Sequence, residues 1–282
     1  MLKLWVINIP IFKYDDIEIN YIKEGFGEPL ILIQGSNTRL EAWYYQIEYF
    51  KDRMTVIAFD NRGAGKSSRP NYPYTMAMYV EDTNNLLNHL NIKEKVHLCG
   101  ISMGGEIAQE FVLKYPERVK TLILIATEPN VDPTKFSQTI EVYYEMDNMN
   151  FDQKFQLLFP ILYTNTFKKK IRRDKELNEK LKKEMNFMFT TEYAPQLNDL
   201  INQFKALTEF DTIDSLHKII QPTLILVGSK DIRNPPERSK LIHERIPNSK
   251  LEILENLKHG LIIEAPEIVN NSIWNFIKEN LG

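Results

Sequence analysis

The sequence is poor in cysteine and contains no long apolar run. Cys99 is the single cysteine among 282 residues, which excludes an internal disulfide, and its place in an apolar run predicts a packing residue. No apolar stretch approaches the roughly 20 residues that a membrane-spanning helix needs. The apolar stretch at residues 1–6 is too short for a signal peptide and is soon followed by Pro10 and charged residues. We therefore expect a cytoplasmic protein without membrane partners.

An excess of either charge is also missing. Lysine and arginine number 35, aspartate and glutamate number 38, and the net charge is −3. This balance does not favour nucleic acid as a partner, so a small molecule is the expected one, bound by a monomer or a homodimer. The histidine, cysteine and acidic residues do not cluster at ligand spacing. Neither a metal nor another cofactor is expected.

Short apolar runs alternate with helix-like segments along most of the chain. This alternation predicts an α/β fold with a mainly parallel sheet, buried on both faces by helices. The runs are Leu30–Gln34, Thr55–Phe59, Val96–Cys99, Thr121–Ala126, Thr223–Val227 and Leu251–Leu254. The helices are placed at Leu40–Phe50, Met76–Leu90, Glu106–Tyr115, Glu237–Ile246 and Pro266–Leu281. An antiparallel hairpin of Trp5–Phe12 and Asp16–Lys23, turning at residues 13–15, completes a sheet of about eight strands.

One long segment lacks a strand pattern. Residues 133–211 are too many for a structureless loop, so they predict a helical cap inserted after the sixth strand of a core formed by residues 1–132 and 212–282. The charged stretch Lys168–Glu184 is interpreted as a solvated amphipathic helix rather than an anion-binding patch. Aromatic and methionine side chains should pack the cap and cover a substrate. They are Tyr143, Tyr144, Met146, Phe151, Phe155, Phe159, Tyr163, Met185, Phe187, Met188 and Phe189, of which Tyr143, Met146 and Phe159 are the candidate substrate contacts.

Residues 100–104, Gly-Ile-Ser-Met-Gly, lie between an apolar run and a helix-like stretch. Flanking glycines allow a strained turn that projects the Ser102 hydroxyl outward, the arrangement called a nucleophile elbow. The amide of Met103, in the first turn of the helix, then supplies one oxyanion donor. The alternative is a glycine-rich turn with an incidental serine. The strand before it and the helix after it favour the nucleophile.

A nucleophilic serine needs a base and an acid that orients the base. Of the five histidines, only His259 lies in a loop directly after a predicted strand, where open α/β sheets place working residues. Asp231 follows another strand and is the favoured acid, although aspartate there also suits a helix cap or a turn. Asp132, which also lies beyond a strand end, is the rival acid.

These motifs resemble the α/β-hydrolase family, in particular its capped esterases, 3-oxoadipate enol-lactonases, cofactor-free haloperoxidases and carbon–carbon bond hydrolases. Residues 60–68 resemble the family's D-x-R-G-x-G-x-S turn, residues 228–231 its acid loop and residues 257–260 its histidine loop. The resemblance covers nearly the whole chain. It implies an α/β-hydrolase fold and a catalytic triad of Ser102, Asp231 and His259 in the family's chain order.

The chain departs from the family at residues 34–37, Gln-Gly-Ser-Asn, where the family usually carries His-Gly. Because Gly35 is kept, the amide of Ser36 remains the expected second oxyanion donor. Gln34 is interpreted as hydrogen-bonding support for this loop, in preference to an amide that reaches the substrate. Gln34 and Asn37 are retained as candidate substrate contacts.

Residues 63–67, Gly-Ala-Gly-Lys-Ser, end like a phosphate-binding loop, but Asp60 stands where that motif needs glycine, so nucleotide binding is not expected. The predicted function is hydrolysis of a small to medium, partly apolar carboxylic ester or lactone through an acyl-enzyme. A carbon–carbon bond hydrolase, a haloperoxidase or perhydrolase, and a ligand receptor or signalling protein with slow turnover remain as alternatives. Dehalogenases and epoxide hydrolases are disfavoured because they resemble this pattern with aspartate at the position of Ser102.

Overall fold

The computed structural model describes residues 10–132, 134–179, 181 and 193–281. In this part of the chain, eight strands form one sheet in the order β1-β2-β4-β3-β5-β6-β7-β8. β2 is antiparallel to both β1 and β4, and every other neighbouring pair is parallel. The strands are β1 Ile11–Tyr14, β2 Ile17–Gly25, β3 Pro29–Ile33, β4 Thr55–Phe59, β5 Val96–Ile101, β6 Val119–Ile125, β7 Thr223–Gly228 and β8 Ser249–Leu254.

Helices connect the parallel strands, and this arrangement confirms the predicted fold class. They are α1 Tyr44–Phe50, α2 Met76–His89, α3 Met103–Lys114, α4 Thr134–Asp147, α5 Phe151–Leu162, α6 Asn165–Arg173, α7 Leu197–Leu207, α8 Pro236–Arg245, α9 Leu261–Glu264 and α10 Pro266–Glu279. Residues 175–179 are also helical. Among the described residues, none of the helices is both long and apolar enough to cross a bilayer.

The core lies on both faces of the sheet, which explains why its strands are apolar without alternation. On β3, Ile31 and Ile33 pack into a cluster with α2 and α3, whereas Leu30 and Leu32 pack into a second cluster with α1 and α10. All four side chains are fully buried. Because β3 to β8 are parallel, their carboxyl ends lie along one edge of the sheet.

The predicted turn of the first hairpin is wrong. Lys13 and Tyr14 belong to β1 and pair with Glu18 and Ile17, so the turn consists of Asp15 and residue 16. Asp15 has φ +47°, a left-handed conformation that aspartate tolerates in tight hairpins. Residues 5–9 of the predicted first strand lie outside the described residues.

Helix α3 begins at Met103, three residues earlier than predicted, because Gly104 and Gly105 are helical. Helix α10 ends at Glu279 rather than at Leu281. In the charged stretch, α6 buries Phe167 and Ile171 and leaves its lysines exposed, as an amphipathic helix does. It ends at Arg173, because Asp174 is extended, so one helix does not cover the whole stretch.

Between β6 and β7, the described residues form α4 to α7, here called the inserted helices. α4 packs against α7. A separate small core contains Phe159, Tyr163, Phe167, Ile171 and Leu181. Met185, Phe187, Met188 and Phe189, predicted to belong to the cap, lie outside the described residues.

Candidate active site

Ser102 occupies the junction between β5 and α3 in a strained backbone conformation. Its φ is +53° and its ψ is −126°, a region that costs a non-glycine residue of order 1–3 kcal/mol. Its amide donates to the Ile125 carbonyl at 2.9 Å, and its own carbonyl accepts from the Gly105 amide at 2.8 Å and from Thr127 Oγ1 at 3.0 Å. These hydrogen bonds hold the strained turn in place.

The glycines around Ser102 permit an approach between strand and helix that no side chain would allow. A Cβ at Gly100 would lie 2.1 Å from the Gly104 carbonyl oxygen, and one at Gly104 would lie 2.1 Å from that of Ile33. A Cβ at Gly105 would lie 2.6 Å from that of Thr127. The glycine pattern therefore has a steric origin in the observed turn.

His259 and Asp231 come together at the carboxyl ends of β8 and β7. His259 Nδ1 lies 2.8 Å from Asp231 Oδ2, and the two residues are only 7% and 2% exposed. The other carboxylate oxygen, Asp231 Oδ1, accepts from the amides of Arg233 at 2.9 Å and Asn234 at 3.0 Å. Asp231 thus shapes its own turn with one oxygen and orients His259 with the other.

The rival residues occupy other environments. Asp132 is exposed at the start of α4, where its Oδ1 accepts from the amide of Thr134 at 2.9 Å and from its hydroxyl at 2.8 Å. Of the remaining histidines, His89 lies beside Tyr21, His97 between Thr121 and Glu28, His243 against Ser249, and His217 in a 3-10 turn. Asp231 is therefore the strand-end acid that the structure joins to a histidine.

The hydroxyl of Ser102 makes no hydrogen bond within the described residues, and the side chain is 9% exposed. The structure therefore links His259 to Asp231 but does not link Ser102 to His259 directly. β5 to β8 are consecutive parallel neighbours, so the loops that follow them share one edge. Catalytic hydrogen bonds are often long without substrate and shorten when it binds.

The segment that follows β3, residues 34–39, is here called the β3 loop, and it lies against Ser102. A Cβ at Gly35 would stand 3.1 Å from Ser102 Cβ and 3.7 Å from its Oγ. Within the described residues, neither the amide of Ser36 nor that of Met103 donates to another group. Neither amide is therefore committed to another acceptor among those residues.

Gln34 is fully buried at the start of the β3 loop. Its backbone carbonyl accepts from Asn61 Nδ2 at 3.1 Å, whereas both polar atoms of its side chain lack a hydrogen-bond partner among the described residues. The side-chain support favoured from the sequence is not seen there. The contact that fastens this end of the loop is made by the backbone.

Asp60 is a structural residue of this site whose contacts sequence reasoning missed. Its buried carboxylate accepts from the amides of Leu40 at 2.8 Å and Lys66 at 2.9 Å and from Asn20 Nδ2 at 2.6 Å. Burial raises the pKa of Asp60, and these donors together with Arg39 partly offset that rise. Asp60 thereby ties the turn after β4 to the end of the β3 loop.

Gln203, on α7, is a second residue of this site that no sequence motif singles out. Its Nε2 donates to the Gly63 carbonyl at 2.7 Å, and its Oε1 accepts from the Asn37 amide at 3.1 Å. The side chain is only 1% exposed. One amide therefore joins the inserted helices to two loops of the sheet.

Three of the predicted substrate contacts meet at one cavity. Asn37, Tyr143 and Met146 line a space of about 20 Å³, which they share with Asp147, Lys154, Pro195, Leu197 and Leu200. Phe159 instead packs in the aromatic core of the inserted helices, with ring centroids 5.1 Å from Tyr163 and 6.5 Å from Phe167. Within the described residues, no group of three or more histidine, cysteine and acidic side chains could hold a metal ion.

Known proteins resemble this chain over most of its length. The family model described as alpha/beta hydrolase fold matches residues 28–266. A poly(3-hydroxyalkanoate) depolymerase from Ectopseudomonas oleovorans is 31% identical over 89% of this chain and 84% of its own length. A 3-oxoadipate enol-lactonase from Acinetobacter baylyi is 28% identical over 96% of this chain and 99% of its own.

The same relationship appears among solved structures. A malate-bound thermophilic esterase from Thermogutta terrifontis superposes with a TM-score of 0.81 at 28% identity, covering 93% of this chain and 94% of its own. The segment matched by the family model, residues 28–266, contains the elbow and the two loops that carry Asp231 and His259. The chain therefore belongs to the α/β-hydrolase fold family.

Proposed function

We propose that this protein is a serine hydrolase that cleaves a carboxylic ester or lactone through an acyl-enzyme. Ser102 is the nucleophile, His259 the general base and Asp231 the acid that orients it. The observation that carries the proposal is the 2.8 Å contact between His259 Nδ1 and Asp231 Oδ2, at the same sheet edge as the strained Ser102. Backbone strain of this kind is typical of functional sites.

The contact with Asp231 sets the protonation pattern of His259. Nδ1 keeps its proton and donates a hydrogen bond to the carboxylate. Nε2 therefore carries the lone pair and accepts the hydroxyl proton of Ser102. Ser102 Oγ then attacks the substrate carbonyl, and the carbonyl electron pair moves to its oxygen. The amides of Ser36 and Met103 stabilise that oxyanion.

His259 next acts as a general acid to complete acylation, and it acts again as a base and then as an acid in deacylation. The tetrahedral intermediate collapses, His259 protonates the departing alkoxide, and the acyl group remains on Ser102. Water then loses a proton to His259 Nε2 and attacks the acyl carbonyl. The intermediate releases Ser102 Oγ, which recovers its proton from His259, and the carboxylic acid departs.

The similar proteins support an ester or lactone as the substrate class, whereas the cavity at Asn37, Tyr143 and Met146, of about 20 Å³, is too small to hold an acyl group. The similar proteins include a depolymerase and an enol-lactonase by name. In this proposal, the inserted helices act as the cap over the substrate.

The proposal is tested with a panel of p-nitrophenyl esters, lactones and thioesters. The Ser102→Ala variant should lose about 10⁶-fold in kcat, because nucleophile, base and acid act as a unit. Ser239→Ala is the matched control, since Ser239 is buried in α8 with no partner for its hydroxyl among the described residues. It should keep wild-type kcat.

Wild-type turnover by Ser102→Ala would rule out the mechanism. Tight stoichiometric binding with negligible turnover across the panel would instead support a ligand receptor. Carbon–carbon hydrolases and haloperoxidases use the same three residues. Two further assays therefore separate them from an esterase. Hydrolysis of a vinylogous diketone would indicate a carbon–carbon hydrolase, and bromination with hydrogen peroxide and acetate would indicate a haloperoxidase.

A further inference from the structure

We infer that Gln203 is a positioning residue that holds the β3 loop in the conformation presenting the Ser36 amide to the oxyanion. The inference rests on the proposed function. It assigns to one helix of the inserted segment a role in the chemical step, in addition to covering the substrate.

The geometry of the Gln203 amide leaves one orientation. The Gly63 carbonyl can only accept and the Asn37 amide can only donate, so Nε2 faces Gly63 at 2.7 Å and Oε1 faces Asn37 at 3.1 Å. The side chain is only 1% exposed, so water cannot readily replace either partner. Losing a partner in such a site leaves a buried polar group unsatisfied.

Asn37 gives the β3 loop its sharp change of direction. Its φ is +59°, in the left-handed region that asparagine tolerates better than most residues but still occupies less often than the extended or helical regions. The peptide that follows Ser36 ends at the Asn37 amide, so the direction of that amide and the backbone angles of Ser36 are coupled. Gln203 accepts from this amide.

Two other contacts hold the ends of the loop, and both come from the turn after β4. Asn61 Nδ2 donates to the Gln34 carbonyl at 3.1 Å, and Asp60 Oδ1 accepts from the Leu40 amide at 2.8 Å. Gln203 holds the middle of the loop from a different part of the chain. The placement of the Ser36 amide therefore depends on the side chain of Gln203.

Such a role has a kinetic signature that general structural support lacks. An oxyanion donor acts on the tetrahedral state, so displacing it lowers kcat and leaves KM nearly unchanged. A boronic acid inhibitor, which forms a tetrahedral adduct with a serine nucleophile, should lose affinity in the same proportion. The carboxylic acid product should bind as before.

The test compares three variants of the full chain. Gln203→Met removes both hydrogen bonds at similar length and should lower kcat by about 10- to 10²-fold, below the 10²- to 10³-fold typical of losing a whole oxyanion donor. Gln203→Glu keeps an acceptor for Asn37 but turns a buried carboxylate oxygen towards the Gly63 carbonyl, where two acceptors repel each other, so it should lower kcat at least as much as Gln203→Met. If Gln203→Met does not fold, Gln203→Asn, too short to span both partners, replaces it.

Asp199→Asn is the matched control on the same helix. Asp199 pairs with Arg69 Nη1 at 2.9 Å and accepts from the Gln196 amide at 2.9 Å, so it stabilises the first turn of α7 without contacting the β3 loop. This variant should lose stability and keep kcat and boronate affinity.

Wild-type kcat and boronate affinity in Gln203→Met would overturn the inference, as would an equal loss in Asp199→Asn. The proposed function fails separately, if Ser102→Ala keeps its activity.

Discussion

At the scale of the residue, Asp231 shows how one side chain serves both the fold and the site. Oδ1 closes its turn on the amides of Arg233 and Asn234, and Oδ2 faces His259. The turn role that the sequence offered as an alternative to catalysis is therefore real, but it occupies only one of the two oxygens. The two roles can be separated by substitution.

Asp231→Asn should keep the turn and lose activity. The amide oxygen can still accept from Arg233 and Asn234, while the amide nitrogen facing His259 can only donate, which favours the wrong tautomer of the imidazole. We expect kcat to fall by about 10⁴-fold, as in other triads, with an unchanged circular dichroism spectrum. Asp132→Asn, at the exposed rival position, should keep wild-type kcat. The reverse result in steady-state assays would make Asp132 the acid.

At the scale of the element, polar contacts between distant segments fix the loops of the site. The turn after β4 is held to α2 by Arg62, whose Nε and Nη2 lie 2.7 Å and 2.6 Å from the two carboxylate oxygens of Asp82. Both side chains are buried. Because this turn also carries Asp60, which fastens the β3 loop, the ion pair supports the site at a distance.

Asp82→Asn should destabilise the protein strongly, since it leaves the Arg62 guanidinium buried without a counter-charge. Breaking a buried pair in this way typically costs about 3–5 kcal/mol in the free energy of unfolding. Glu18→Gln is the matched control, because its pair with Lys13 is exposed and should contribute about 0–1 kcal/mol. Denaturant titration measures both values. Equal losses in the free energy of unfolding would show that the buried Arg62–Asp82 pair contributes no more to stability than an exposed pair.

The turn between α5 and α6 lies against the loop that carries His259. The Gly260 amide donates to the Leu162 carbonyl at 2.8 Å, and Glu264 accepts from the Thr164 amide at 3.0 Å and from its hydroxyl. A Cβ at Gly260 would lie 2.4 Å from Tyr163 Cε1, so only glycine allows this approach. The inserted helices thus contact the histidine loop as well as the β3 loop.

Thr164→Val should destabilise the protein more at pH 8 than at pH 4.5. Burial raises the pKa of Glu264, and the Thr164 hydroxyl partly offsets that rise by donating to the carboxylate. A raised folded pKa means that stability is lost as pH rises through it, and losing the donor raises the pKa further. Urea titrations should show a loss of about 1–3 kcal/mol at pH 8.

Thr208→Val, which loses an exposed bond to the Lys205 carbonyl, should change little at either pH. A loss in Thr164→Val that is the same at both pH values would contradict a role through Glu264.

The elements and the elbow were predictable from the sequence, whereas these contacts were not. Residues 30–33 are apolar because both faces of β3 are buried, and the glycines around Ser102 follow from close packing, so each leaves a local pattern. Gln203 and Gly63 are 140 residues apart, and the hydrogen bond that joins them leaves no periodicity in the sequence. A polar residue on a helix can face solvent or contact many different partners, and only the folded structure shows which partner it has.

At the scale of the whole molecule, the two edges of the sheet have different chemistry. The carboxyl edge carries Ser102, Asp231 and His259. The opposite edge buries His97, whose Nδ1 lies 2.8 Å from Thr121 Oγ1 and whose Nε2 lies 2.9 Å from Glu28, which also pairs with Lys120. Burial lowers the pKa of His97, and Glu28 offsets part of this effect.

The stability of the protein should therefore fall in mild acid. A folded pKa below the unfolded value of about 6.5 means that the stabilisation is fully present above that pH and is lost as pH falls through the folded pKa. Guanidinium titrations between pH 8 and pH 5 should show this loss. His97→Gln should reduce it, whereas His217→Gln, at an exposed position, should not. An equal pH slope in wild type and His97→Gln would contradict the assignment.

Mass spectrometry of the acyl-enzyme shows directly whether Ser102 is the nucleophile. The intact protein is quenched with acid within seconds of mixing with a p-nitrophenyl ester, and its peptides are then mapped. We expect one acyl group per chain, on Ser102, formed at the rate of the nitrophenol burst and absent from Ser102→Ala. Acylation of another residue, or full turnover by Ser102→Ala, would contradict that role.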